Sequence, residues 1–351
     1  MPRSIDSMLA CPAPLPHGDM VQLAHGGGGQ MTARLIETLF APAFRNPHLE
    51  PLGDGAVVTV GNERLAFTTD TFVVKPVFFP GGDIGSLAVH GTVNDLAMCG
   101  ADPLFLSTGF VLEEGFPMRD LERVVGSMAE ACARVGVSLV TGDTKVVDRG
   151  KGDGIYVNTS GIGRVLDGVV VGPGRATAGD VVLVSGPIGD HGIAVMAARE
   201  GIDFETALLS DSAPVTAPVR ALLEAVPDTH VLRDPTRGGL ATALCEIALS
   251  SKVGICLEEK EIPVREEVRG ACELLGFDPL YVACEGRFLA IVPEKSAEAA
   301  LEAIRSRPGG EGARRVGTVG AEDPGRLVLR TRIGSHRLLE RLSGEQLPRI
   351  C

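Results

Sequence analysis

The chain has 351 residues, 44% of them apolar and 22% charged, with a formal net charge of -12. That length suits two domains of ordinary size, and the acidic balance argues against a nucleic-acid partner, whose phosphates call for an excess of Lys and Arg. No run of about 18 apolar residues occurs, which argues against a membrane-spanning helix. The N-terminus is broken by prolines and lacks a secretory signal's basic start, so a cytoplasmic protein is expected.

In chain order, residues 1–48 read as an extension: a Pro-rich start, the run HGGGGQ (25–30), then a helix-like MTARLIETLF. A first domain is expected over 49–166. Its strand candidates are 56–60, 64–70, 104–112, 137–143 and 155–163. Two helices are expected between them, 83–99 capped by Asp83 and 117–135 opened by Pro117 and stopped by Gly136. The Gly/Pro-rich stretch 167–180 reads as a linker. The second domain, 181–342, restarts with VVLVSG (181–186). Helices are expected near 189–200, 214–225, 237–250, 265–275 and 295–306, with strands near 253–258, 287–292, 314–319 and 326–330. The order is not a strict strand–helix alternation, so an α+β fold is expected in each half. Residues 343–351, SGEQLPRIC, are polar, contain Pro348 and read as a flexible tail.

Four acids stand where strands end or helices turn: Asp54 in LGDGAV, Asp70 in FTTD, Asp95 in TVNDLAM and Asp143 in TGDTK. Converging carboxylates are what Mg²⁺ on a nucleoside triphosphate requires, being hard oxygen ligands; each one alone also reads as a turn former or helix cap. In VTGDTKVVDRGKGDG (140–154), Thr141 and Gly142 let backbone amides approach a phosphate, Asp143 can hold metal and Lys145 supplies a cation. A charged, self-solvating loop would look similar. Gly26 and Gly27 offer amides for an anion cradle, although no Gly-Lys-Ser/Thr follows and a hinge reads equally well. SGPIGDHGIA places Asp190 and His191, and LRDPTRGGL places Asp234 and Arg237, at helix starts that could face an anion or a second chain, or could simply cap.

Eight cysteines are spread without a CxxC pair, and most read as reduced core thiols. Cys351 is different: it is the final residue, on a stretch with no core pattern. About nine extended residues reach on the order of 30 Å, enough to carry a thiol into a cleft of its own or a neighbouring subunit. Such a thiol can be a carrier, modified at one place and presented at another, its reactivity set by its thiolate fraction.

Together, HGGGG, FTTDTFVV, FFPGGDIG, GTVNDLAM, GFVLEEGFPM, TGDTKVV, VSGPIGDHG, RDPTRGGL, ACELLGFDPLYVA and the terminal PRIC resemble the hydrogenase-maturation carbamoyl dehydratases, the HypE family, within the aminoimidazole ribonucleotide synthetase-like (PurM-like) superfamily. The resemblance runs from about His25 to Cys351. It implies a two-domain PurM-like fold and a homodimer whose first-domain sheets close into a β-barrel, with ATP near that interface. It also implies a reaction: a carbamoyltransferase, HypF, loads carbamoyl onto Cys351, ATP activates the carbamoyl oxygen, and loss of phosphate leaves a thiocyanate. The cyanide then passes to iron on a HypC–HypD scaffold during [NiFe]-hydrogenase assembly. By the same resemblance Lys145 and Glu285 stand beside the carbamoyl nitrogen, with Glu285 as base, and Asp54, Asp70, Asp95 and Asp143 are metal-bound.

Two positions depart from the family. Its usual ANEGK is ACEGR here, with Cys284 and Arg287, and its GDDAAV is GDGAV, with Gly55 in place of a second acid. Selenophosphate synthetases and thiamine monophosphate kinases share the aspartates, but neither needs a terminal thiol. The former would carry a reactive Cys in the glycine-rich loop, where HGGGGQ has none. A non-enzymatic thiol carrier or scaffold is the reading from another class.

Overall fold

A computed structural model of the chain describes residues 20–202, 208–344 and 349–351. The Pro-rich start with Cys11, and the middle of the expected tail, lie outside the described residues. HGGGGQ leads into helix α1 (Gln30–Leu35), which continues through a wider π turn at Ile36–Phe40.

The first sheet has five strands, β1 (Ala56–Val60), β2 (Glu63–Phe72), β5 (Ala101–Glu113), β6 (Ser138–Val147) and β7 (Ile155–Val165), in the order β1-β2-β7-β5-β6. All its pairings are antiparallel except β5–β6, which is parallel and bridged by a helix. Alternation along β2 turns Ala66, Thr68 and Phe72 inward and leaves Phe67, Thr69 and Thr71 on the other face, as a half-covered sheet requires. Two-residue strands β3 (Phe78–Phe79) and β4 (Gly82–Asp83) form a small hairpin.

On the inward face lie α2 (Ile84–Met98) and α3 (Met118–Val135). Asp83 caps α2, its Oδ1 accepting from the amides of Gly85 at 2.7 Å and Ser86 at 3.0 Å. Gly136 ends α3 in the left-handed region at φ +79°. Helix α3 is amphipathic, whereas α2 is buried on nearly every side, as befits a helix with protein all round it. That position explains how His90, Asn94 and Asp95, all on α2, come to lie inside the molecule.

The second sheet comprises β8 (Asp180–Val184), β9 (Val231–Arg233), β10 (Gly254–Glu258), β11 (Leu289–Pro293), β12 (Arg314–Gly320), β13 (Leu327–Arg330) and β14 (His336–Leu339). Its order is β14-β13-β10-β12-β8-β11-β9, with only β10–β13 parallel. Around it pack α4 (Asp190–Glu200), α5 (Thr216–Ala225), α6 (Gly239–Ser251), α7 (Glu266–Leu275) and α8 (Ala297–Arg305). The mixed α+β architecture matches the expectation. The short strands β3, β4, β9 and β14 were not legible as separate elements, because two to four residues carry too little periodicity.

The chain end differs from the expectation of an unpacked tail. Ile350 and Cys351 are buried, and the last residues lie beside 73–75. The amide of Val73 donates to the Cys351 carbonyl oxygen at 3.1 Å and that of Lys75 to the Arg349 carbonyl at 3.2 Å. The pairing is made by backbone, which a polar sequence does not advertise. Among the described residues no helix is long and apolar enough to cross a membrane.

Candidate active site

Two cavities meet at Arg237. The first, about 340 Å³, is lined by Gly28, Asp54, Asp70, Asp95, Asp234 and Arg237 among others. One carboxylate oxygen from each of Asp54, Asp95 and Asp234 lies within 4.8 Å of the others. They come from three separate places: the turn before β1, the last turn of α2 and the loop after β9. The hydroxyl of Thr68 on β2 stands 2.8 Å from both Asp95 Oδ2 and the Asp54 carbonyl oxygen, tying the first two together.

Burial raises all of these acids. Asp54 is pushed up to about 6, Arg233 opposing the shift. Asp234 is pushed to about 8, with the Asp54 charge adding to burial. Asp95 is raised well above the carboxylate range, by burial first and then by the charges of Asp234, Asp54 and Asp70. Packed carboxylates that cannot all ionise alone fit a hard divalent cation, whose charge would let them do so. Arg233 offsets part of the charge, with Nη1 at 2.8 Å from Asp54 and Nη2 at 2.9 Å from Glu246.

The second cavity, about 520 Å³, is lined by Gly26, Gly27, Arg237, Ile350 and Cys351, and by Thr71, Val111 and Tyr156 from the sheet's open face. Arg237 Nη2 is 3.3 Å from Asp70 and Nη1 is 3.3 Å from the Gly26 carbonyl. Gly28, at φ +75°, brings its backbone so near Arg237 that a Cβ would sit 2.6 Å from the arginine's own Cβ. Only glycine fits there, and the glycine run thereby forms a wall of the cavity.

Cys351 sits in this cavity within hydrogen-bonding reach of the Glu285 carboxyl, with the Arg237 charge nearby. Burial raises the thiol well above its ordinary range, so the seated sulfur is protonated. Glu285 is also raised well above the carboxylate range, by burial first and then by Asp234, Asp70 and Asp211. Its backbone is clamped on both sides: N–H donates to Asp211 Oδ1 at 3.1 Å, and the carbonyl accepts from Asn94 Nδ2 at 3.2 Å. Its Oε1 has no protein partner.

The structure separates some residues that the sequence put together. Thr141, Gly142, Asp143 and Lys145 lie on β6, the outermost strand of the first sheet. Asp143 is not in the carboxylate cluster of its own chain; it is exposed and pairs with Lys145 at 2.7 Å. Asp234 stands in its place. Asp190 lines neither cavity, but pairs with Arg265 at 3.1 Å and approaches Arg287. His191 faces the chain end, with Nε2 2.8 Å from the Ile350 carbonyl oxygen.

The two departures from the family pattern also have structural settings. Cys284 is fully buried; its sulfur accepts from the Gly189 amide at 3.2 Å and is no partner of the Glu285 carboxyl. A Cβ on Gly55 would meet Cys99 Sγ at 2.9 Å and the Phe67 carbonyl oxygen at 3.0 Å, so an acid has no room there. Thr68, Asn94, Asp211 and Arg233 were missed. Of these, Asn94 and Arg233 flank Asp95 and Asp234 within segments already singled out, while Asp211 carries no local signal.

The profile described as "AIR synthase related protein, N-terminal domain" matches residues 52–165, and that described as "AIR synthase related protein, C-terminal domain" matches 177–330. The carbamoyl dehydratase HypE of Azotobacter vinelandii is 52% identical over 331 residues, covering 94% of this chain and 97% of its own. A crystal structure of a HypE–HypF complex superposes with a TM-score of 0.84 at 47% identity, covering 88% of this chain and 99% of that one. HypE in complex with ATP superposes with a TM-score of 0.80 at 50% identity, covering 95% and 100% respectively.

Proposed function

The chain belongs to the carbamoyl dehydratase HypE family, built from paired AIR synthase-related domains, and on that premise we propose that Cys351 is the carrier on which it works. It is an ATP-dependent carbamoyl dehydratase of hydrogenase maturation, converting a carbamoyl group on the terminal thiol to a thiocyanate. The observation that carries the assignment to Cys351 is the meeting of two cavities at Arg237, one holding the clustered carboxylates and the other the terminal thiol beside Glu285.

An amide oxygen is a poor leaving group, and ATP supplies the phosphoryl group that makes it a good one. Overall, the two N–H protons and the oxygen leave, and ATP becomes ADP and phosphate. Asp54, Asp95 and Asp234 hold Mg²⁺, with Asp70 beside them. Gly26 and Gly27 bound the cavity towards the phosphates. Arg237 faces negative charge building on the carbamoyl oxygen. Glu285, deprotonated, is a stronger base than an exposed glutamate because its surroundings disfavour its charge, and it takes a proton from the carbamoyl nitrogen.

Loading by the carbamoyltransferase HypF occurs elsewhere, because the seated thiol is buried and protonated and so a poor nucleophile. The last residues therefore leave their seat to be loaded and return to react, and the cyanide passes on to a HypC–HypD scaffold. We infer a homodimer as well: the outer face of the first sheet exposes Phe67, Ile162 and Phe105 across β2, β7 and β5, and β6 leaves an open edge beside them. A second copy closing that edge brings Asp143, with Thr141 and Gly142, and Lys145 to the neighbour's nucleotide cavity. Incubation with the carbamoyltransferase and carbamoyl phosphate, with and without ATP, tests the reading by intact mass. A carbamoyl adduct on Cys351 that loses water only with ATP is the expected result, and an adduct indifferent to ATP leaves only a carrier.

A further inference from the structure

His191 is fully buried in the first turn of α4. Its Nε2 lies 2.8 Å from the Ile350 carbonyl oxygen, which can only accept, so Nε2 carries the proton. Burial lowers the ring's affinity for a second proton, which leaves Nδ1 to accept from the Ser210 hydroxyl at 2.8 Å. Phe79 meets the ring edge-on at 5.4 Å. Two turns further along α4, Arg199 Nη2 donates to the Arg349 carbonyl at 2.7 Å and also to that of Lys75. One helix therefore holds two successive carbonyls of the chain end.

We propose that His191 is a positioning residue that latches the chain end, its hydrogen bond to Ile350 setting how far Cys351 stays seated beside Glu285. The proposal rests on reading Cys351 as the carrier. Because the latch grips backbone, it holds the end whatever group the sulfur bears. It is also wired to the base. The amide of Ser210 donates to the Pro80 carbonyl at 2.8 Å, and the next residue, Asp211, accepts the N–H of Glu285. A seated end and a correctly placed Glu285 thus depend on one short segment.

The test uses the full-length protein. His191→Leu removes the donor, and His191→Gln keeps an N–H near the Nε2 position. Alkylation of Cys351 by iodoacetamide, followed on the C-terminal peptide, reads release of the end directly. His191→Leu is expected to alkylate about threefold to tenfold faster, the worth of one net hydrogen bond. After loading, it is expected to dehydrate more slowly by a similar factor with KM for ATP unchanged, and His191→Gln to recover both. If His191→Leu does not fold, Ser210→Ala, which takes the hydroxyl from His191 Nδ1 and from the Ser212 amide, is read in the same two ways. Unchanged alkylation and dehydration in the variant, or a His191→Gln no better than His191→Leu, overturns the latch. A parent protein that loads but never dehydrates overturns the functional reading instead, while the alkylation arm still decides the latch.

Discussion

The backbone N–H of Glu285 donates to Asp211 Oδ1 at 3.1 Å, fixing the glutamate from a segment 74 residues away in sequence. Its carboxyl is thereby held near the Cys351 thiol, with Oε1 lacking any protein partner. A buried acid left so is costly unless a substrate or water completes it. Glu285→Gln keeps the shape and removes the base. The variant should load carbamoyl normally and yield at least about a hundredfold less thiocyanate per unit time, the usual worth of a general base. Intact mass over time checks this, and a parent-like yield would remove Glu285 from the role.

Asp143 and the cluster of Asp54, Asp95 and Asp234 lie apart within one chain, and the dimer reading places Asp143 in the neighbour's site. Asp143→Asn and Asp234→Asn should each impair dehydration. A mixed dimer of the two variants should regain up to half the parent activity, because one of its two sites then carries neither change. Activity no higher than that of either variant alone would return Asp143 to its own chain.

His90 is buried on α2, with Nδ1 3.1 Å from the Ser212 hydroxyl and Nε2 unpartnered. Burial, helped by Arg134, pushes its pKa down to about 4. The folded state thus binds the proton more weakly than the unfolded one. The stability this contributes is full above pH about 6.5, drains as the pH falls, and levels off below about 4. Between those limits the loss is on the order of 3 kcal/mol. Urea unfolding of parent and His90→Gln should show a shallower acid-side decline in the variant; parallel curves would mean that His90 does not carry it.

Gly55 stands against Cys99 Sγ and the Phe67 carbonyl. Restoring the family's acid as Gly55→Asp should destabilise the protein by roughly 1–3 kcal/mol, as overpacking does. Adding Cys99→Ala should recover part of that, the Phe67 carbonyl still crowding the new side chain. Thermal unfolding of the single and double variants is the measurement, and a stable Gly55→Asp would show that the turn has room.

The amino-acid pattern by itself determined the architecture and most of the chemistry. Period-2 runs such as AVVTV and period-3.6 stretches between caps such as Asp83 and Gly136 are local signals, and they placed the longer elements within a few residues. Asp54, Asp95 and the terminal thiol were legible because each sits in a distinctive segment, whereas Glu285 came only from the family resemblance. Only the tertiary structure decided which acids share a cluster, since Asp234 follows β9, which packs against α2, while Asp143 lies within β6 on the open edge of the first sheet. It alone showed that His191 serves the chain end and that Asp211 steadies Glu285. Those contacts join residues separated by 159 and 74 positions, and no local propensity encodes a hydrogen bond to a distant carbonyl or amide. The seating of Cys351 was hidden for the same reason: it is made by backbone pairing with residues 73–75, to which side-chain pattern is blind.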